Sequence, residues 1–268
     1  MKRTLARIKR WLITLGGLRK TFALDLLGTS LRVDYNLRPS KADRDYNIIL
    51  QMAKGKKCVL DVGANHGLIS MLIARQNPDA KIYAIEASED AVNIINQNVA
   101  LNAMSSQITT INSLVADKSG YTIPFYWQGS SGGASMTKDR LGHTIEIEKS
   151  TLSVDDYVQF RNLKPDFIKM DIEGAEYLAI RGMSHVLDCI KPDIFVELHS
   201  FGELSLVQNA KSILDSIYPF NYVMIYLRTG NLIDDVSVLS DRGRCHVVLM
   251  PIKRYSREFV NNLDLSGL

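Results

Sequence analysis

Two carboxylates and a glycine-bearing turn carry the first chemical signal in this 268-residue chain. Asp61-Val62-Gly63-Ala64-Asn65-His66-Gly67 lies between two apolar runs, and 25 positions beyond Asp61 the run Ile82–Ile85 ends in Glu86. Gly63 permits a sharp turn and close backbone approach by a ligand, and Gly67 lets a helix begin close to a sheet. A carboxylate ending the neighbouring strand reaches the switch-point crevice and can take both hydroxyls of a ribose. The spacing G-x-x-x-G is not the G-x-G-x-x-G of a pyrophosphate cradle, and an acid before the turn suits an ammonium better than a diphosphate. A nucleoside joined to an amino acid without phosphate is S-adenosylmethionine. Asp61, Gly63, Ala64, Asn65, Gly67 and Glu86 are the residues expected to bind it, with Ala116 and Asp117 on the loop where adenine would fall. Two alternatives stand beside this reading: an NAD site, whose ribose Glu86 would serve equally, and a purely structural turn.

A second group has acid–base character. Lys169-Met170-Asp171-Ile172-Glu173-Gly174-Ala175-Glu176 places two acids just past an apolar strand, Glu197 and His199 close another, and His246 begins a third. Lys169, inside an apolar run, needs one of these acids as a partner. Glu173 and Glu176 also fit a bland role at a helix N-terminus, where the dipole favours carboxylates. Glu197 and His246 equally read as a buried, satisfied pair.

The elements that must position these residues follow from the pattern of apolar runs. Strands are expected at Cys58–Asp61, Ile82–Glu86, Ile108–Asn112, Phe167–Asp171, Ile194–Leu198, Tyr222–Leu227 and Cys245–Met250, with helices at Leu68–Arg75, Asp90–Leu101, Ala175–Cys189 and Glu203–Ser216. Short apolar strands alternating with helices describe a doubly wound α/β sheet. Between Gly120 and Leu152 the helical rhythm lapses, and Tyr121–Trp127 with Thr144–Glu148 read as an inserted hairpin around Gly129–Gly133. Residues 1–55 divide off as a basic arm and a lead-in of mixed helical periodicity, leaving 56–268 as the ligand-binding domain.

The chain resembles the FkbM family of S-adenosylmethionine-dependent methyltransferases. The likeness rests on D-V-G-A-N-x-G, the strand ending A-I-E, Ala116-Asp117-Lys118-Ser119-Gly120, T-L-S-V-D-D-Y, K-M-D-I-E-G-A-E with Arg181-Gly182 after it, and V-E-L-H, spanning roughly Cys58 to Met250. It implies a Rossmann-like class I methyltransferase fold, a seven-stranded mostly parallel sheet with an antiparallel last strand, and O-methylation of a sugar, glycan or secondary-metabolite hydroxyl. Such an acceptor needs a base, or a metal that lowers its pKa. His199 or Asp171 is expected as the base with Glu197 in the same catalytic cluster; alternatively Asp171 with Glu197 would hold a divalent cation. A catalytically silent binding module on the same fold is the rival from another class.

Composition narrows the setting. The chain is 46% hydrophobic and 23% charged with net charge +3, yet its first twenty residues hold seven Lys or Arg and no acid. Residues 21–268 therefore carry 25 basic and 29 acidic side chains, a net of −4, which argues against a nucleic-acid-binding body. Cys58, Cys189 and Cys245 show neither zinc-site nor disulfide spacing. Leu5, Ile8, Leu12 and Leu15 make the arm a basic amphipathic helix suited to peripheral membrane contact or to docking on its own domain, and no cleavage site follows it. A cytoplasmic location is expected. Because the excess positive charge lies outside the motif-bearing domain, deleting residues 1–20 is expected to leave S-adenosylmethionine affinity unchanged in calorimetry. Collapse of that affinity would make arm and site one unit.

Overall fold

A computed structural model describes residues 21–37, 45–127, 134–136, 145–200, 204–240 and 244–265. The basic arm and the tract Gly129–Gly133 lie outside them. The chain opens with a hairpin, β1 (Thr21–Leu26) and β2 (Thr29–Asp34), and a helix, α1 (Tyr46–Ala53). Then follow β3 (Cys58–Val62), α2 (Leu68–Gln76), β4 (Lys81–Glu86), α3 (Glu89–Leu101) and β5 (Ile108–Asn112). The insertion holds β6 (Leu114–Val115), β7 (Thr122–Trp127), β8 (Ala134–Ser135) and β9 (Ile145–Leu152), with β7 antiparallel to β9 as the sequence suggests. The remainder is α4 (Val154–Phe160), β10 (Phe167–Met170), α5 (Glu176–Arg181), β11 (Asp193–His199), α6 (Leu206–Ile217), β12 (Tyr222–Tyr226), β13 (Asn231–Leu232), β14 (Arg244–Pro251) and α7 (Arg257–Asn261).

The main sheet has the order β13-β12-β14-β11-β10-β3-β4-β5. The pairs of β3 with β4 and β10, β4 with β5, and β10 with β11 are parallel, whereas β14 runs antiparallel to both β11 and β12. The seven expected strands are all present, and the two-residue edge strand β13 makes eight. Strand side chains alternate between two hydrophobic layers. Val59, Ile82 and Phe167 pack with α1, α2 and α3, while Leu60, Ile85 and Ile168 pack with α4, α5 and α6. The order turns outward at β3 and β10, so the carboxyl ends of these strands form the crevice that receives ligands in such sheets. No helix among the described residues is long and apolar enough to cross a membrane.

Two elements differ from the sequence expectation. The lead-in reads as helical, but residues 21–34 form a hairpin whose Leu31 and Val33 enter the main core. The fully buried Asn98 of α3 holds it there, its Oδ1 accepting from the Asp34 N–H at 2.7 Å and its Nδ2 donating to the His66 carbonyl at 3.0 Å. One amide thus ties the hairpin to the glycine turn. The helix expected over Ala175–Cys189 is split: α5 ends at Arg181, and a π-helical turn occupies Val186–Ile190. The break falls at Gly182, packed so closely that a Cβ there would stand 2.6 Å from the Ala116 carbonyl oxygen.

Replacing Asn98 by Ala strands the buried Asp34 N–H and the part-buried His66 carbonyl, and a buried group left unpaired costs about 1–3 kcal/mol. Asn98→Ala is therefore expected to lower unfolding stability by about 1–3 kcal/mol in urea titration. Wild-type stability would show that the hairpin is not held through this amide.

Candidate active site

The glycine turn is satisfied from within. Gly63 and Ala64 donate their N–H groups to the Ile85 carbonyl, at 2.9 and 3.1 Å, Asn65 donates to Glu86 Oε2 at 2.9 Å, and Gly67 donates to the Ala64 carbonyl at 2.8 Å. A pyrophosphate cradle needs such groups aimed at the ligand, and these four are committed elsewhere. That removes the physical basis of the NAD reading. Gly63 has φ +75°, and a Cβ there would lie 1.8 Å from the Asp171 carbonyl oxygen. Its lack of a side chain admits the end of β10, where a ligand had been the expected neighbour. Gly67, φ +79°, leaves room for Ile95 of α3 as α2 begins.

Glu86 caps the rim of β4. Its Oε1 accepts from the Ser88 N–H at 2.8 Å, and its Oε2 takes the Asn65 N–H. Burial pushes its carboxyl pKa up, opposed by the backbone N–H groups of Ser88 and Asn65 and the charge of Lys169. A third backbone N–H, that of Ala87, also bears on the carboxylate, so Glu86 is a largely satisfied cap at the end of β4.

Asp61 does not have the expected role in direct contact with a ligand. It is fully buried, its Oδ2 accepts from Ser70 Oγ at 2.5 Å, and its Oδ1 lies 3.4 Å from Lys169 Nζ. Lys169 stands opposite Asp61 in the β3–β10 register and donates to the Gly63 carbonyl at 2.8 Å, with Asp171 Oδ2 4.0 Å away. Burial alone would depress this ammonium, but Asp61, Asp171, Glu197 and Asp45 outweigh it and raise its pKa. Ala116 and Asp117 are also away from the crevice. Ala116 is covered by Gly182, and Asp117, 3.8 Å from Arg181 Nη2, lines a separate cleft.

A cleft at the strand ends, about 250 Å³, runs from the turn Gly63–His66 past Lys169, Asp171 and Glu173 to Glu197 and Arg244, with Asp45 and Tyr46 of the lead-in closing it. His199, buried behind its wall, is the hub of the charged cluster. Nδ1 lies 3.4 Å from Glu176 Oε1 and 3.9 Å from Asp171 Oδ1; Nε2 lies 3.2 Å from Glu197 Oε1 and 3.8 Å from Glu173 Oε2. Burial favours the neutral ring, but hydrogen bonds to Glu176 and Glu197 and the charge of Asp171 prevail and push the pKa up to about 10. As an imidazolium the ring would have both nitrogens donating and would not serve as the resting base.

Asp171 differs. Its Oδ1 is sealed without a hydrogen-bond partner while 31% of the side chain stays exposed to the cleft. Burial pushes its carboxyl up to about 7 against the pull of Lys169. Glu197, although burial acts to raise it, is held well below the usual carboxylate range by hydrogen bonds from His199 and His246. Its Oε1 also accepts from Arg244 Nη1 at 2.8 Å. Among the described residues, ligand-bearing atoms come within 4.8 Å of one another in two groups, Asp171–Glu173–His199 and Asp45–Glu197–His246. The expected cation pair Asp171–Glu197 is divided between them.

Glu176 and Asn209 are the residues that sequence reasoning undervalued. Glu176, fully buried, accepts from the Gly174 and Ile172 N–H groups at 2.9 and 3.4 Å and so shapes the turn on which Glu173 adopts φ +58°. Asn209 of α6 donates toward the His199 carbonyl at 2.6 Å and Glu176 Oε2 at 3.1 Å. A polar residue on the stripe Leu206, Ala210, Ile213 was the available signal.

A sequence profile described as "Methyltransferase FkbM domain" matches residues 61–221. Methyltransferase sdnD of Sordaria araneosa is 24% identical over 155 residues, 47% of this chain and 60% of its own length. This chain thus spans less than two thirds of that relative. Hexuronic acid methyltransferase AglP of Haloferax volcanii is 23% identical over 216 residues, 73% of this chain and 82% of the relative. Among solved structures, a candidate S-adenosylmethionine-dependent methyltransferase from Streptococcus mutans shares the fold, with TM-score 0.50 and 12% identity over 87% of this chain and 56% of that one. Methyltransferase FkbM from Methylobacillus flagellatus has TM-score 0.47 and 17% identity over 74% and 44% of the two chains.

The His199 pKa of about 10 lies above the ordinary 6.5, so its contribution to stability is complete below pH 6.5 and is lost as pH rises toward 10. In an NMR titration of histidine-labelled protein, the His199 ring is expected to remain doubly protonated at neutral pH, and Glu176→Gln to lower its midpoint. A ring titrating at or below 6.5 in the wild type would contradict this assignment.

Proposed function

The chain belongs to the FkbM methyltransferase family, and on that premise we propose that it transfers a methyl group from S-adenosylmethionine to a hydroxyl of a sugar-containing acceptor. The observation that carries this reading is the position of Asp171. It faces the same cleft as the glycine turn, flanked by Lys169 at 4.0 Å and His199 at 3.9 Å, with a carboxyl whose pKa of about 7 suits proton transfer near neutrality. When bound, the sulfonium supplies an activated methyl for in-line displacement. Glu86, at the end of the neighbouring strand β4, takes the ribose hydroxyls. Asp171 accepts the acceptor's hydroxyl proton as the oxygen–carbon bond forms, and Lys169 and the His199 imidazolium keep part of its population ionised. Glu173, on its left-handed turn, offers a second carboxylate to neighbouring hydroxyls.

The relative named for hexuronic acid makes a uronic-acid-bearing glycan the first acceptor to try. Calorimetry with S-adenosylhomocysteine is expected to show binding that Glu86→Ala weakens about tenfold or more. Radiolabelled methyl transfer to the glycan should rise with pH through about 7 in the wild type. Asp171→Asn should slow it by roughly 10²–10⁴, the usual worth of a positioned base. Normal turnover in Asp171→Asn removes the base assignment, and cofactor binding without transfer to any hydroxyl acceptor favours a silent module.

A further inference from the structure

The methyl donor ends in an α-amino acid, with an ammonium and a carboxylate on one carbon. Asp61, the residue whose sequence position suits that ammonium, is sealed against Ser70 and Lys169, so another carboxylate must receive it. The sheet gives the direction. Glu86 stands on β4, and the rim leads from there to β3, β10, β11 and β14. Adjacent strands are ~4.8 Å apart, so a donor with its ribose over β4 and its sulfur over β3 carries its amino-acid end toward β10, into the cleft that Asp45, Glu197 and Arg244 also line. Two charged groups line that part of the cleft. Asp171, Glu173 and His199 form the one that handles the acceptor proton. The other joins Asp45 and Glu197, whose carboxylates approach His246 Nε2 at 3.9 and 3.4 Å, to Arg244, whose Nη1 donates to Glu197 at 2.8 Å.

We propose that Asp45 receives the ammonium of the methyl donor's amino-acid end and that Arg244 receives its carboxylate. The assignment rests on the S-adenosylmethionine reading above. Carboxylates and a guanidinium on one wall match a zwitterion sign for sign, and the guanidinium fork suits a planar carboxylate. The surplus of acid over base on this wall also favours a ligand that is cationic at sulfur. Glu197, opposite His246 in the β11–β14 register and bonded to Arg244, holds the guanidinium at the rim. Neither Asp45 nor Arg244 falls within residues 61–221, the stretch matched by the family profile, so the lead-in helix and the last strand complete the cofactor site.

The test compares S-adenosylhomocysteine with 5′-deoxy-5′-methylthioadenosine, which keeps the adenosine thioether and lacks the amino acid. Calorimetry in EDTA on the full chain is expected to show that Asp45→Asn weakens S-adenosylhomocysteine on the order of tenfold while methylthioadenosine binds as to wild type. Arg244→Met, at a half-exposed position, should give the same selective loss even if Asp45→Asn proves unstable. Retained methylthioadenosine binding certifies the fold of each variant. Unchanged S-adenosylhomocysteine affinity, or equal loss for both ligands, overturns the assignment while the methyl-donor reading stands. A wild-type protein that binds neither ligand overturns both.

Discussion

A single buried ammonium sets the terms for the rest of the site. Lys169 stands in the middle of a parallel sheet, 6% exposed, where an unpaired charge would be prohibitively costly. It is tolerated because three groups converge on it: the Gly63 carbonyl, Asp61 across the strand register, and Asp171 at the strand end. Those contacts lock the glycine turn of β3 to the acidic turn after β10. The missing side chain at Gly63 belongs to the same constraint, since the Asp171 carbonyl occupies the space a Cβ would need. The glycine turn and Asp171 are thereby one rigid unit, the kind of pre-arrangement that the proposed in-line displacement requires.

Around that unit, charge is graded. His199 is surrounded by carboxylates from α5, β11 and the turn after β10, and Glu197 faces two imidazoles and a guanidinium. Asp171 lies between, poised near neutrality because sealing its Oδ1 opposes the pull of Lys169. The net acidity of the body follows the same logic, since a sulfonium and an ammonium are best received by a rim with more carboxylates than cations.

The strands were legible because buried parallel strands are short, apolar and punctuated, and their ends carried the acids Glu86, Asp171 and Glu197 at the crevice. The hairpin of residues 21–34 was misread although Phe22, Leu24 and Leu26 alternate before Gly28 and Leu31 and Val33 after it. Two six-residue runs with few fully buried positions give a weak period-2 signal, and their stability comes from Asn98 far along the chain. The helix expected after Gly174 breaks at Gly182, which packs against the Ala116 carbonyl, a contact no local pattern reveals.

What the sequence determined by itself was the order of the sheet's elements, the chemical types at the strand ends and the mismatch of the glycine turn with a diphosphate. These depend on periodicity and on residue identity, both local. Only the tertiary structure decided how the imidazoles and carboxyls of the cleft pair with one another, that Asp61 is a buried partner of Lys169, and that Asp45 and Arg244 line the same cleft. A pKa and a contact are sums over charges and surfaces brought together from distant segments. His199 answers to Asp171, Glu173, Glu176 and Glu197, and their distances come into being only when the sheet closes.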